Sequence, residues 1–130
     1  MTFRDRIAHI SDRRSAPDYR YLFQKLGFLQ KEFLYAADPP GKQLEQLKKI
    51  KPTVIYSYAS SMVILSSEIE ESGQQPIQPK LIFTTGELLN LDDRELINRA
   101  FSVRLRDLYG LVEMGDVAWQ CPECQGYQCR

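Results

Sequence analysis

Little in this chain invites a disulfide framework, a membrane or a polyanion. Its 130 residues hold three cysteines, all within the last ten positions, an odd number that argues against a disulfide scaffold and for thiols or a metal site. No apolar run approaches the roughly 20 residues needed to cross a bilayer, and the first residues lack the apolar core of a secretory signal. The expected compartment is therefore the cytoplasm. There is one histidine, His9, read as an ordinary surface or partly buried side chain. Net charge is zero, with 17 Lys and Arg against 17 Asp and Glu, but it is unevenly spread. Residues 1–51 carry 11 basic and 6 acidic side chains and the remainder 6 and 11. No arginine cluster sits among stacking aromatics, so a nucleic-acid partner is not expected. A solvated basic face opposite an acidic one accounts for the asymmetry.

What is present is the make-up of a soluble globular domain, 43% hydrophobic and 26% charged, long enough for one core spanning 1–130. The first 31 residues are the least legible. Arg4–Ile10 suits a short strand or a helix, Ser11–Asp18 holds turn formers around Pro17, and Tyr19–Leu26 is amphipathic up to Gly27. Glu32–Ala36 reads as a buried strand before Asp38, Pro39, Pro40 and Gly41. In Lys42–Lys51, Leu44, Leu47 and Ile50 recur at every third position, predicting a helix that Pro52 stops. Thr53–Tyr56 is a β-branched and aromatic run that suits a strand buried on both faces. Ala59–Glu71 predicts a second helix, ended by Ser72 and Gly73.

After a loop over Gln74–Pro79, Lys80–Thr84 predicts another buried strand, which runs into Thr85, Gly86 and Glu87. Asp92 with Glu95 has the spacing of a capping box, and Leu96, Ile97, Ala100 and Phe101 give the next helix an apolar face. Val103–Leu108 predicts a further strand, with Arg104 and Arg106 making one face polar or placing it near an edge. It closes on a tight glycine turn at Gly110, flanked by the Tyr109 ring and the Glu113 carboxylate. Trp119 and Tyr127 are read as core.

Strands alternating with helices over short loops imply right-handed crossovers and a mainly parallel α/β sheet with helices on both faces. Ligands of such sheets bind beyond the carboxyl ends of the strands. The two most polar exits, Thr84–Glu87 and Tyr109–Glu113, fall on the same edge. An aromatic ring, a glycine and a carboxylate there suit a nucleotide with a magnesium ion. Cys121, Cys124 and Cys129 have part of the spacing of a zinc knuckle but want a fourth ligand, so zinc and surface thiols both stand open.

Several segments resemble the adenylate-forming acid:CoA ligase superfamily, in its phenylacetate-CoA ligase and coenzyme F390 synthetase branch with the CapK-like relatives. They are Lys51–Pro52 with Tyr56–Tyr58, then Pro79–Glu87, Asp107–Glu113, Ala118–Glu123 and Gly126–Tyr127. The resemblance implies a Rossmann-like portion of the AMP-binding large domain. It also implies a reaction in which a small carboxylate attacks the α-phosphate of ATP, giving an acyl-adenylate, before the thiol of coenzyme A displaces AMP. By that resemblance Thr85, Gly86 and Glu87 lie along the adenine, with Asp107, Tyr109 and Gly110 as further nucleotide contacts, Tyr109 packing on the base. Glu113 binds Mg2+. No catalytic residue is assigned. Two departures stand out: Val112 occupies the position where the family usually has a Thr or Ser that contacts the α-phosphate, and no glycine- and Ser/Thr-rich phosphate loop lies before Pro52. The expectation is an internal piece, without the catalytic lysine of the mobile carboxyl-terminal domain. Such a piece is inactive alone and self-associates through apolar surface that other subdomains would cover. A non-catalytic remnant or interaction module with the same fold is the alternative.

Overall fold

The computed structural model describes residues 5–12, 30–74, 77–111, 115–121 and 127–129. Among these residues seven strands form one sheet in the order β2-β1-β3-β4-β5-β6-β7. They are β1 (Ile7–Ser11), β2 (Lys31–Tyr35), β3 (Val54–Tyr58), β4 (Leu81–Thr85), β5 (Arg106–Leu111), β6 (Gly115–Gln120) and β7 (Tyr127–Cys129). The first five are parallel, and β6 and β7 add antiparallel strands at one edge. Helices α1 (Pro40–Ile50), α2 (Ala59–Ser72) and α3 (Leu91–Phe101) connect β2 to β3, β3 to β4 and β4 to β5. This is the expected mainly parallel α/β architecture.

The crossovers from β2 to β3, β3 to β4 and β4 to β5 step the same way along the sheet, so the right-handed rule puts the three described helices on one face. Accordingly α1 packs on α2 and α2 on α3. Between them and the sheet lies the core, in which Ile10, Ile55 and Ile82 meet Leu47, Met62, Leu65, Ile97 and Phe101. Burial of each such side chain contributes about 1.5–3 kcal/mol. A buried serine, Ser66, is accommodated there because its hydroxyl donates to the Met62 carbonyl at 2.7 Å, one turn back. The connection from β1 to β2, which steps the other way, lies outside the described residues, and with it the expected cover of the second face. The expected amphipathic segment Tyr19–Leu26 falls in that connection.

The opposite face carries a half-buried row set by register: Phe33, His9, Tyr56, Phe83 and Arg106. His9 meets Tyr56 edge-on at 4.9 Å between centroids and lies 5.2 Å from the Phe33 ring. Burial, and secondarily the charge of Lys31, lower its pKa from 6.5 to about 4. The imidazole is thus neutral near pH 7.

Five expectations change. Pro40 occupies the first turn of α1, where its missing N–H costs nothing, so the helix starts two residues before Lys42. The cap of α3 is Asn90, whose side chain accepts the Asp93 N–H at 2.7 Å and donates to the Asp93 carboxylate at 2.7 Å, rather than an Asp92–Glu95 box. Strand β5 starts at Arg106 instead of Val103 because the end of α3 uses the intervening residues. Ser102 turns left-handed (φ 52), Val103 N–H donates to the Asn98 carbonyl at 3.2 Å, and Leu105 N–H to the Asn98 side chain at 2.9 Å. The same strand runs on through Gly110 to Leu111, with a register shift at Tyr109/Gly110 where it pairs with β6. Gly110 is therefore a bulge position inside a strand and not a turn, and β5 is an interior strand. Trp119, expected in the core, is 39% exposed.

Candidate functional site at the carboxyl edge

Because β4 and β5 are parallel neighbours, both polar exits open on one edge. There a cavity of about 280 Å³ is lined by Gly86, Glu87, Leu88, Asp107, Leu108, Tyr109 and Gly110. Five of the residues expected to contact a nucleotide thus meet in one wall. Thr85, at the end of β4, is half-buried and absent from the lining. The volume sits just under the ~300–1,000 Å³ of small-molecule pockets, which suits a flat heterocycle better than a whole cofactor.

The wall from β5 is polar at its root and apolar at its rim. Asp107 is 5% exposed, and its Oδ1 accepts a 2.7 Å hydrogen bond from Thr84 Oγ1, itself fully buried on β4. Register extends this row to Ser57 on β3, whose buried hydroxyl has no hydrogen-bond partner among the described residues. At the rim Tyr109 is 57% and Leu88 96% exposed. A ring and an aliphatic side chain are thereby presented to a ligand above a buried carboxylate.

The opposite wall is shaped by the β3–α2 junction. Gly86 adopts φ +79, and a Cβ there would sit 3.2 and 3.3 Å from the Tyr58 ring. Only glycine combines that conformation with that approach. Glu87 turns toward α2: its Oε2 accepts the Ser60 N–H at 2.7 Å and its Oε1 accepts the Ser60 hydroxyl at 2.9 Å. The first turn of α2 has neither a side-chain cap nor an acidic residue of its own, so Glu87 supplies both. Sequence reasoning missed Tyr58 and Ser60. The signal for them was spatial, since Ser60 and Glu87 lie 27 residues apart.

Glu113 and Cys124 lie outside the described residues, as do the side chains of Asp116, Cys129 and Tyr127, the last expected in the core. Cys121 is a buried thiol. Among the described residues no three His, Cys, Asp or Glu side chains are grouped to hold a metal ion. No described helix is long and apolar enough to cross a membrane.

No protein-family model matches the chain, and no curated protein does. Solved structures do. A 2-hydroxyisobutyryl-CoA ligase, in an open conformation with its acyl-AMP and CoA, superposes with a TM-score of 0.70 at 17% identity, over 99% of this chain and 30% of that one. The fold is the one acyl-CoA ligases share. An acyl-CoA synthetase of Brucella canis gives 0.70 at 14% identity over 100% of this chain and 24% of its own. A long-chain-fatty-acid-CoA ligase of Archaeoglobus fulgidus gives 0.68 at 14% over 95% and 27%. The chain thus spans less than a third of each of these structures, and at such identities the likeness establishes the fold alone.

Proposed function

We propose that this chain is the adenine-holding part of an ATP-dependent acid:CoA ligase that activates a small carboxylate as its acyl-adenylate, in the phenylacetate-CoA ligase and coenzyme F390 synthetase branch. The supporting observation is the convergence of Gly86–Leu88 and Asp107–Gly110 on one cavity at the carboxyl edge. In this reading the base lies between the Gly86 backbone and the Tyr109 ring, where stacking contributes about 1–3 kcal/mol. The engaged Asp107 carboxylate fixes the orientation of the wall. Catalysis in such a reaction is chiefly positioning of the carboxylate against the α-phosphate.

The described carboxylates of the cavity accept hydrogen bonds from Thr84 and Ser60, which fixes their orientation in the wall. Magnesium is assigned to Glu113 by resemblance only, and no step is derived through it. With no phosphate loop in the sequence, the chain by itself holds nucleotide without completing acyl transfer. Its expected compartment is the cytoplasm. The exposed Leu88 and Leu91 are surface for self-association, which sedimentation would reveal.

Titration of the purified chain with AMP, and separately with ATP and Mg2+, followed by amide NMR shifts, tests the reading. Shifts confined to Gly86–Leu88 and Asp107–Gly110 at sub-millimolar to millimolar nucleotide are expected. Unchanged spectra at millimolar nucleotide would leave the non-catalytic module as the function.

A further inference from the structure

A strand end and a helix start that do not line the cavity decide its shape. We propose that Ser60 and Glu87 form a latch between the start of α2 and the loop after β4, and that Ser60 is a positioning residue for nucleotide binding. The proposal rests on the adenine reading of the cavity. Glu87 lies between Gly86 and Leu88 in the wall, and both of its carboxylate oxygens are held by one residue, through the Ser60 N–H at 2.7 Å and hydroxyl at 2.9 Å. Immediately before it, Gly86 is seated against the Tyr58 ring at φ +79. Tyr58 is the N-cap residue of α2. The loop is therefore moulded on two positions, Tyr58 and Ser60, at the junction of β3 and α2.

A loop that must present backbone to a ligand costs ordering entropy on binding unless it is ordered beforehand. A two-point, charge-assisted contact at a helix start is a strong means of pre-ordering. Glu87 is accordingly not a nucleotide ligand. It acts through the positions on either side of it, and Ser60 acts through Glu87. Filling the start of α2 with a carboxylate also removes that helix end as a phosphate site. The cavity is thereby specialised for the base.

The test uses the whole chain and AMP as the probe. Ser60→Ala removes the hydroxyl contact, Glu87→Gln removes the charge, and Ser60→Thr retains a hydroxyl. The expected result is roughly tenfold weaker AMP binding in S60A and in E87Q, as loss of one charge-assisted hydrogen bond would give. S60T is expected near the parent value. The double variant S60A/E87Q is expected to be little worse than either single one, because both break the same contact. Amide hydrogen exchange at Gly86 and Leu88 should quicken in S60A and E87Q while exchange in β3 and β4 does not. A lower melting temperature with unchanged AMP affinity would make the latch purely structural and overturn the proposal. If the parent chain itself does not bind AMP, the adenine reading fails. The positioning role fails with it, and the exchange at Gly86 and Leu88 then reports only whether the loop is held.

Discussion

At the carboxyl edge of the sheet the cavity wall contains Asp107 and Glu87, and α3 opens on Asp92 and Asp93. At the amino edge a larger cavity of about 570 Å³ is lined by Lys48, Lys51, Pro52, Thr53, Ile77, Gln78 and Lys80. Helix direction explains the contrast. In a parallel α/β sheet every connecting helix begins at the carboxyl edge and ends at the amino edge, so acids complement helix starts and bases complement helix ends. Lys48 and Lys49 lie in the last turn of α1 and Arg99 in that of α3. Several of the described basic side chains thus lie at helix ends and seams. Lys48 donates to the Gln74 side chain, Lys80 pairs with the buried Asp5 at 3.5 Å, and Arg6 donates to the Ile50 carbonyl at 3.1 Å. Beside that cavity Arg6 and Thr53 join the chain before β1 to the chain before β3, the Arg6 backbone and the Thr53 hydroxyl exchanging bonds at 3.0 and 3.2 Å. The carboxyl edge also uses its polar groups internally, yet leaves an aromatic rim open. The helix starts α2 and α3 are already capped by Glu87 and Asn90, which leaves a surface suited to a base and not to a phosphate.

The contrast can be broken most strongly at the carboxyl edge. Thr84→Val removes the hydroxyl bond to the buried Asp107 carboxylate and should lower the unfolding free energy by about 1.5–3 kcal/mol in urea. An unchanged midpoint would show that Asp107 is satisfied by its other contacts. Gly86→Ala, which must adopt a positive φ against the Tyr58 ring, should cost about 1–2 kcal/mol and abolish AMP-dependent shifts. Retained shifts would mean that the loop tolerates a different path.

On the second sheet face, His9 supplies a pH signature. Its folded pKa of about 4 lies below the unfolded 6.5, so the unfolded chain binds more protons between these values. Stability is complete above pH 6.5 and falls as pH drops toward 4, by on the order of 1 kcal/mol after discounting for solvent screening. His9→Phe should flatten the pH dependence of the urea midpoint across that window, against the background of the carboxylates.

At the amino edge Lys80→Met should cost only about 0.5–1 kcal/mol, since one partner is exposed. The smallest effect belongs to Arg99 and Glu70, which join α3 to α2 at 2.7 Å on the surface. Their hydrogen bond, ahead of charge attraction, holds the Glu70 carboxyl below its usual range. Arg99→Ala should leave the urea midpoint without a resolvable change in 0.5 M salt, where the Debye length is about 4 Å.

How much was legible follows from the range of each interaction. Helices α1, α2 and α3 and strands β3 and β4 were readable to within a few residues because their apolar period and their Pro or Gly stops are local. The start of β5 was not, since the backbone closure on Asn98 competes for residues that look like strand. Strand β6 went unread because Val112–Met114, between it and β5, contains no turn-forming residue. Asn90–Asp93 and Asp92–Glu95 offer the same cap spacing in two frames, and only the backbone of α3 chooses between them. In the site, the pairing of the two exits could be inferred from parallel order alone. That Asp107 is held by Thr84 and Glu87 by Ser60 could not.

The sequence by itself determined the alternation of strands and helices, and with it a parallel sheet whose Gly86 and Tyr109 exits share an edge. Periodicity and handedness are local properties that survive without knowledge of the partner. Only the tertiary structure decided what the polar residues at that edge do. A carboxylate has the same letter whether it holds a ligand or caps a helix, and the choice depends on which donor lies within 3 Å, here a serine 27 residues away.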